Sequence, residues 1–500
     1  MPFFGLFKGR SPPAKERSPP ARGRSPPDPF DLDKPLVWLS PYDAWTRRHS
    51  FEGLKILGAI GSAKTSSSGA TIAKALLADR MADGQVGYGG LVLCAKPEER
   101  SLWERYARET GREKHLVIVS PENPWRFNFL DYEARREGRG GGLTENIVNL
   151  LSIAVQLGEG KVELSGDGAF WHRSMLAMLR CAVDTLVLSG EPLTLEAISR
   201  FIAEAPTSIE EVASEAWQNN SYCAQIIRRA EQKNKTVREQ HDFETAVRYW
   251  LKQFPELSDR TRSGIVATYT SVSDLLSHGL AWELFSTETT FVPDVSWKDG
   301  AIILLDLPIQ EFGEVGRVCQ GLFKTLWQKA VLRRDLSESN RGVFLWADEA
   351  QNFISSFDYL YQSTCRSSRA CTVFLTQNVP NVRAVLGRGS SDEANSFLGN
   401  MVTTIFHAQS DPVTNQYAAD LISQEITTNY SFSSGSSLSG MNHSSGGSET
   451  LRYKVLPSEF TRLRKGGPEA GFVADAIVFG GGRVFRASGD TYLRTTFKQS

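Results

Sequence analysis

Unbalanced charge and cysteine are both scarce in this 500-residue chain, and each scarcity excludes a class of protein. Lys and Arg number 56 against 57 Asp and Glu, a formal net charge of -1, so the chain as a whole lacks the attraction for nucleic acid that a basic coat protein exerts. Any such contact must come from local patches. The 6 cysteines, Cys94, Cys181, Cys223, Cys319, Cys365 and Cys371, include no C-x-x-C pair, which removes the usual zinc and dithiol spacings and fits a reducing compartment. Long apolar runs are missing as well: the stretch 175–188 is interrupted by Arg180 and Asp184 and falls short of the ~20 apolar residues that cross a bilayer. The opening residues 1–7 are too short for an export core and have no basic residue before them. The expected location is therefore cytoplasmic, with at most peripheral contact at the inner membrane. What is present, 41% hydrophobic and 23% charged residues, is a globular composition.

Along the chain the character changes three times, marking out four regions. Residues 1–30 read as a disordered, basic, proline-rich tail in which Arg-Ser-Pro-Pro recurs at Arg10, Arg17 and Arg24. Phe3, Phe4 and Phe7 beside those cations are the means by which such a tail touches a membrane surface. Residues 31–143 carry the apolar run 54–56, a Gly/Ser turn, a helical pattern over 65–81, and two further apolar runs at 90–94 and 115–120. This alternation predicts buried parallel strands joined by helices. Residues 144–285 show helical periodicity at 144–157, 167–188, 194–203, 208–219 and 238–254 with no strand run, an all-α insertion. Over 286–500 strand runs resume at 301–306, 342–347, 371–376 and 401–406, so one α/β domain is expected in two parts. Within it, the Ser- and Gly-rich stretch 427–448 is expected to be a flexible surface loop, and 474–497 a hairpin closing the sheet edge.

The chemistry is concentrated at strand ends. Gly58-Ala59-Ile60-Gly61-Ser62-Ala63-Lys64-Thr65 lies between the first long strand and the first long helix, where a phosphate-binding loop belongs. There, backbone N–H groups surround phosphate, Lys64 reaches the terminal phosphates of ATP, and the Thr65 hydroxyl binds Mg²⁺. The loop departs from G-x-x-x-x-G-K-[ST] at Ala63, which costs about 1 kcal/mol or more if that position needs positive φ and little otherwise. Val343-Phe-Leu-Trp-Ala-Asp348-Glu349 is a strand ending in two carboxylates, an arrangement in which Asp348 orders Mg²⁺ and Glu349 polarises the attacking water. Gln377, at the end of the next strand, is placed to sense the γ-phosphate or that water. Arg366 and Arg369, expected one helical turn apart, are candidates for an arginine supplied to a neighbouring subunit's site. Arg383 and Arg388, in the expected turn after Gln377, are candidates for contact with DNA.

Taken in order, these elements resemble the conjugative coupling proteins of type IV secretion (TraG/TraD type), RecA-like P-loop ATPases of the FtsK/HerA superclass of DNA translocases. The resemblance runs from about Pro35 onward and includes Arg48-His49, Arg126-Phe-Asn128-Phe-Leu130, Gly168-Ala-Phe-Trp171, Asp299-Gly300-Ala-Ile-Ile-Leu-Leu-Asp306-Leu-Pro308 and Asp348-Glu-Ala-Gln-Asn-Phe353. It implies a homo-hexameric ring with ATP between neighbours and DNA, single- or double-stranded, in the central channel. It further implies that the helical insertion faces a relaxase, relaxosome or substrate proteins, and that type IV secretion-like components are partners. The expected fold is thus a RecA-like α/β core with a mainly parallel sheet, interrupted by an all-α inserted domain. The expected activity is ATP hydrolysis driving DNA translocation. Two alternatives share the motif set: a nucleotide-gated recruitment platform with weak hydrolysis, and a soluble DNA-processing translocase of a mobile element.

Overall fold

The computed structural model describes residues 30–138, 140–158, 167–386, 392–437 and 440–500. Phe30 is fully buried and packs on Phe51 and Tyr88, so the core begins inside the expected tail; residues 1–29 lie outside the described residues. A short antiparallel pair follows, β1 (Pro35–Trp38) and β2 (Ala44–Thr46). Next come seven strands: β3 (Leu54–Leu57), β4 (Tyr88–Leu93), β5 (Leu116–Val119), β6 (Ile302–Leu305), β7 (Gly342–Ala347), β8 (Ala370–Thr376) and β9 (Thr403–Phe406). β10 (Gln424–Ser437) and β11 (Gly440–Tyr453) pair with each other, and β12 (Val473–Gly480) and β13 (Tyr492–Lys498) finish the series. The main sheet has nine strands in the order β13-β12-β9-β3-β8-β7-β4-β6-β5. Pairing from β9 to β5 is parallel throughout, and the hairpin β12–β13 closes one edge antiparallel.

These strands are continuous apolar runs because both sheet faces are covered. Alternate residues take opposite faces: Phe344 and Trp346 pack with the helices Ala70–Ala78 and Glu98–Glu109, whereas Val343, Leu345 and Ala347 meet the helix Ile309–Arg333. On the first face the Trp103 ring stacks on Phe344 at 5.8 Å and meets Trp346 edge-on at 5.4 Å.

From Thr144 to Phe285 every described element is helical. This excursion leaves after β5 and returns before β6, and its ends are clasped: the N–H of Phe127 donates to the Leu284 carbonyl at 2.8 Å, and that of Thr290 to Arg126 at 2.9 Å. Its residues Ile147 and Leu151 share one apolar core with Leu322 and Phe323 of the helix Ile309–Arg333. The excursion is therefore packed onto the sheet domain along its base.

Three expectations are corrected. The stretch 427–448, expected as a loop, belongs to the long hairpin β10–β11, in register from Gln424↔Tyr453 to Ser437↔Gly440. Its strand formers Ile426, Thr427, Thr428, Tyr430 and Phe432 outweigh the Ser/Gly composition, and the ladder satisfies the backbone without any core. The helix expected over 65–81 opens as a π turn, Thr65–Gly69, and is α-helical over Ala70–Ala78. The helix expected over 208–219 is two, Ile209–Ala213 and Glu215–Asn220, because the Ser214 hydroxyl caps the second by accepting from the Trp217 N–H. Among the described residues no helix is long and apolar enough to cross a membrane.

Candidate functional site

The sheet order sets β3, β8, β7 and β4 side by side and parallel, so the turns leaving their carboxyl ends converge on one rim. Leu57 pairs with Thr376, Ala347 with Phe374 and Leu93 with Ala347; Gly58, Gln377, Asp348 and the turn bearing Lys96 follow directly. These turns border a cavity of about 690 Å³ lined by Ile60 to Ser66, Lys96, Glu349 and Gln377 among others, with Asp348 held against the lining residue Thr65. The loop, the two carboxylates and the glutamine, up to about 320 residues apart in sequence, are thus brought together.

Local chemistry shapes the loop. A Cβ on Gly58 would stand 2.4 Å from Ser62 Oγ and 2.9 Å from His407 Cβ, so a larger residue there would have to displace one of them. Ala59 N–H donates to the Ala408 carbonyl at 2.9 Å, and Ile60 is exposed at the rim. Gly61 has φ +72° and Ala63 φ +62°: the position where the common pattern has glycine does require the left-handed region, and alanine occupies it at a strain of about 1 kcal/mol. That geometry is held from behind, since the Ser67 N–H and hydroxyl both donate to the Ala63 carbonyl, at 2.9 and 2.7 Å. Ser62 is buried with no hydrogen-bond partner for its hydroxyl, and the Lys64 side chain is buried at the cavity wall.

Thr65 Oγ1 donates to Asp348 Oδ2 at 2.6 Å. A hydroxyl and a carboxylate in contact are the hard oxygen donors that Mg²⁺ takes. Glu349 follows in a left-handed conformation (φ +47°), and its carboxylate accepts from Lys96 Nζ at 3.2 Å on Oε1, and on Oε2 from Gln351 Nε2 at 2.9 Å and Gln377 Nε2 at 3.2 Å. Burial opposes its charge, but the hydrogen bond from Gln351 and the cations Lys64 and Lys96 outweigh burial and hold this carboxyl below its ordinary range. Glu99 is the reverse case. Burial, reinforced by the charge of Asp348, pushes it up to about 8, so it is a neutral acid at pH 7, with Oε2 accepting from the Ala95 N–H at 2.9 Å. Behind the loop, His407 is buried with Nδ1 2.9 Å from the Asp475 carbonyl, which accepts only. Nδ1 therefore carries the hydrogen, and Nε2 accepts from the Ser68 hydroxyl at 2.7 Å. Burial drives this imidazole down to about 4.

Lys96, Glu99 and Gln351 were not anticipated from the sequence. The available signal was position: Lys96 follows the apolar run ending at Cys94 much as Asp348 follows its own strand. The arginines fall elsewhere. Arg366 and Arg369 do not share a helix face, because the helix Ser356–Thr364 gives way to the 3-10 turn Cys365–Ser368, and Arg369 itself is left-handed (φ +47°). Both precede β8, at the opposite end from Gln377. Arg366 is exposed, 3.2 Å from Glu52, while Arg369 donates to the Asn340 carbonyl at 2.9 Å and lies over the Phe30 ring. Arg383 stands on the helix Val379–Leu386 rather than in a turn, half-buried and 3.4 Å from Asn395 Oδ1. Arg388 lies outside the described residues.

With this geometry the chain is comparable to known proteins. Residues 342–465 match the family model described as the TraM recognition site of TraD and TraG. No curated protein matches the chain in sequence. In fold it is similar to the bacterial conjugative coupling protein TrwBdeltaN70 in an unbound monoclinic form, at a TM-score of 0.53 and 14% identity, covering 91% of this chain and 87% of that one. TrwB in complex with the non-hydrolysable ATP analogue ADPNP gives 0.51 at 14% identity, and TrwB with ADP and Mg²⁺ gives 0.51 at 13%, each with the same coverage. The class is therefore α/β, a RecA-like P-loop core with a mainly parallel sheet and an intervening helical region. Within that class the chain resembles the TraG/TraD-type conjugative coupling proteins in sequence over 342–465 and in fold over most of its length.

Proposed function

We propose that the chain is a Mg²⁺-dependent ATPase that works as a six-membered ring, recruiting DNA or a DNA–protein substrate and pumping it toward a type IV secretion-like apparatus. The observation that carries this reading is the cavity at the carboxyl ends of four parallel strands, whose lining includes the loop from Ile60 to Thr65, Glu349 and Gln377, with Asp348 bonded to the lining residue Thr65. The donor set fits a nucleotide with its cation: a buried lysine and backbone amides for phosphates, and Thr65 with Asp348 as hard oxygens. Bound Mg²⁺ neutralises charge developing on the transferred phosphoryl group. Lys64 binds the terminal phosphates, Gln377 and Glu349 orient a water, and Glu349, ionised, accepts its proton. TrwB solved with ADPNP and with ADP and Mg²⁺ supports the choice of ligand.

The remaining assignments belong to the same reading. The regions 31–143 and 286–500 form the nucleotide-binding domain, and 144–285 faces relaxosome or substrate proteins; the match to a TraM recognition site supports relaxosome partnership of the chain, though its residues 342–465 lie outside that insertion. Arg366 is the better candidate for completing a neighbour's site, since its side chain is exposed and tied only to the surface ion pair with Glu52, whereas Arg369 is held by the Asn340 carbonyl and the Phe30 ring. Arg383 and Arg388 remain the DNA candidates. A recruitment platform with weak hydrolysis has less support, because such a device has no need of an ionised Glu349 held by three donors.

The test is phosphate release with and without DNA. Lys64→Ala is expected to lower turnover at least a hundredfold, and Glu349→Gln to do the same while retaining ATP binding. Wild-type rates in Lys64→Ala would overturn the reading.

A further inference from the structure

Lys96 lines the same cavity as Lys64, and its ammonium is paired with Glu349. It follows the end of β4, three strand positions from the loop-bearing β3. Its ammonium is 3.2 Å from Glu349 Oε1, and its side chain is only 28% exposed. An ammonium in such a place stays paired. Its four-carbon stem moves the charge by several ångströms without disturbing the backbone. The Glu349 carboxylate does not depend on it for position: Gln351 holds Oε2 at 2.9 Å and is itself anchored by the Thr376 hydroxyl at 2.8 Å.

We propose that Lys96 reads the terminal phosphate of a bound nucleoside triphosphate, leaving Glu349 Oε1 to take that phosphate as its partner, and thereby separates triphosphate from diphosphate. The proposal rests on the nucleotide reading above. A diphosphate is held by the loop amides and Lys64 on the near side; a third phosphate extends toward Glu349 and Gln377, which is where Lys96 stands. A terminal phosphate offers more negative charge than a carboxylate already shared by two amide donors, and so takes the ammonium. The exchange leaves Oε1 with only the long 3.4 Å contact from Gln377 Nε2 and so opens it to water, and recognition of the triphosphate and readiness of Glu349 become one event.

The experiment measures binding of ADPNP and of ADP, each with Mg²⁺, to the full chain by titration calorimetry. Lys96→Met is expected to weaken ADPNP about tenfold and to leave ADP within about twofold, with Lys96→Arg recovering part of the difference. Lys96→Gln, which keeps a donor toward Glu349, is measured alongside so that a folding defect in the methionine variant does not decide the result; the same split is expected. Equal loss for both nucleotides, or loss for neither, overturns the proposal, because a fixed counter-ion of Glu349 does not distinguish them. Lys64→Ala is the reference: it should weaken both, and full binding in that variant would show that the nucleotide reading itself has failed.

Discussion

At Ala63 the backbone asks for glycine and the sequence supplies a methyl group. Relief is therefore available: Ala63→Gly is expected to raise stability by up to about 1 kcal/mol in urea denaturation, whereas a residue at negative φ would lose stability from the same change. His407 gives a second residue-scale prediction. Its folded-state pKa is lowered from 6.5 to about 4, so between those values the unfolded chain binds the additional proton and stability rises with pH. Acidification from pH 6.5 to 4 should lower the melting temperature, and His407→Gln should flatten that dependence. Lys64, Asp348, Glu349 and Gln377 were legible in the sequence because their chemistry requires those residue types at strand ends. The φ of Ala63 was not, since Ser67 and the packing behind the loop set it, and Lys96 was not, since a lysine after a strand has no distinguishing spacing.

At the scale of elements, the seven parallel strands were readable because burial on both faces demands short, uninterrupted apolar runs. The hairpin β10–β11 was not, for its stability comes from cross-strand pairing, which composition does not encode. The helix Tyr222–Gln232 was missed because its buried residues are interleaved with five charged or amide side chains on the exposed face, Gln225, Arg228, Arg229, Glu231 and Gln232. The base of the hairpin is already closed, with the Lys454 N–H donating to the Ser423 carbonyl at 3.2 Å, while Ile426, Tyr430, Phe432 and Leu451 are all at least 67% exposed. Replacing 426–451 by Gly-Gly should therefore leave the melting temperature within about 2 °C, as followed by circular dichroism. The opposite is expected at the joint between the helices Ile309–Arg333 and Ser356–Thr364. There Lys324, fully buried, is paired with the buried Asp358 and donates to the Phe353 carbonyl at 2.6 Å. Lys324→Met should cost about 3–5 kcal/mol by the same denaturation measurement, because it strands the carboxylate in the core just beyond the Glu349 turn.

At the scale of the whole molecule, the proposed ring, in which neighbours would complete one another's sites, makes a prediction that no single chain can satisfy. Subunits carrying Arg366→Ala and subunits carrying Lys64→Ala, each inactive alone, should regain activity when mixed, at interfaces where an intact Lys64 meets an intact Arg366. Verified mixed rings with no recovered phosphate release would remove Arg366 from that role. The sheet itself carries a different consequence. Its interior strand β3 is made early, yet its partners β8 and β9 come late, and Lys55 on that strand lies 343 residues before Leu398, whose carbonyl it needs. At about 5–20 residues per second of synthesis, the phosphate-loop strand waits on the order of 20–70 s for its neighbours. Throughout that interval the ribosome holds an apolar edge with nothing to pair it, so the birth of this protein, rather than its finished state, is where assistance from chaperones is most needed.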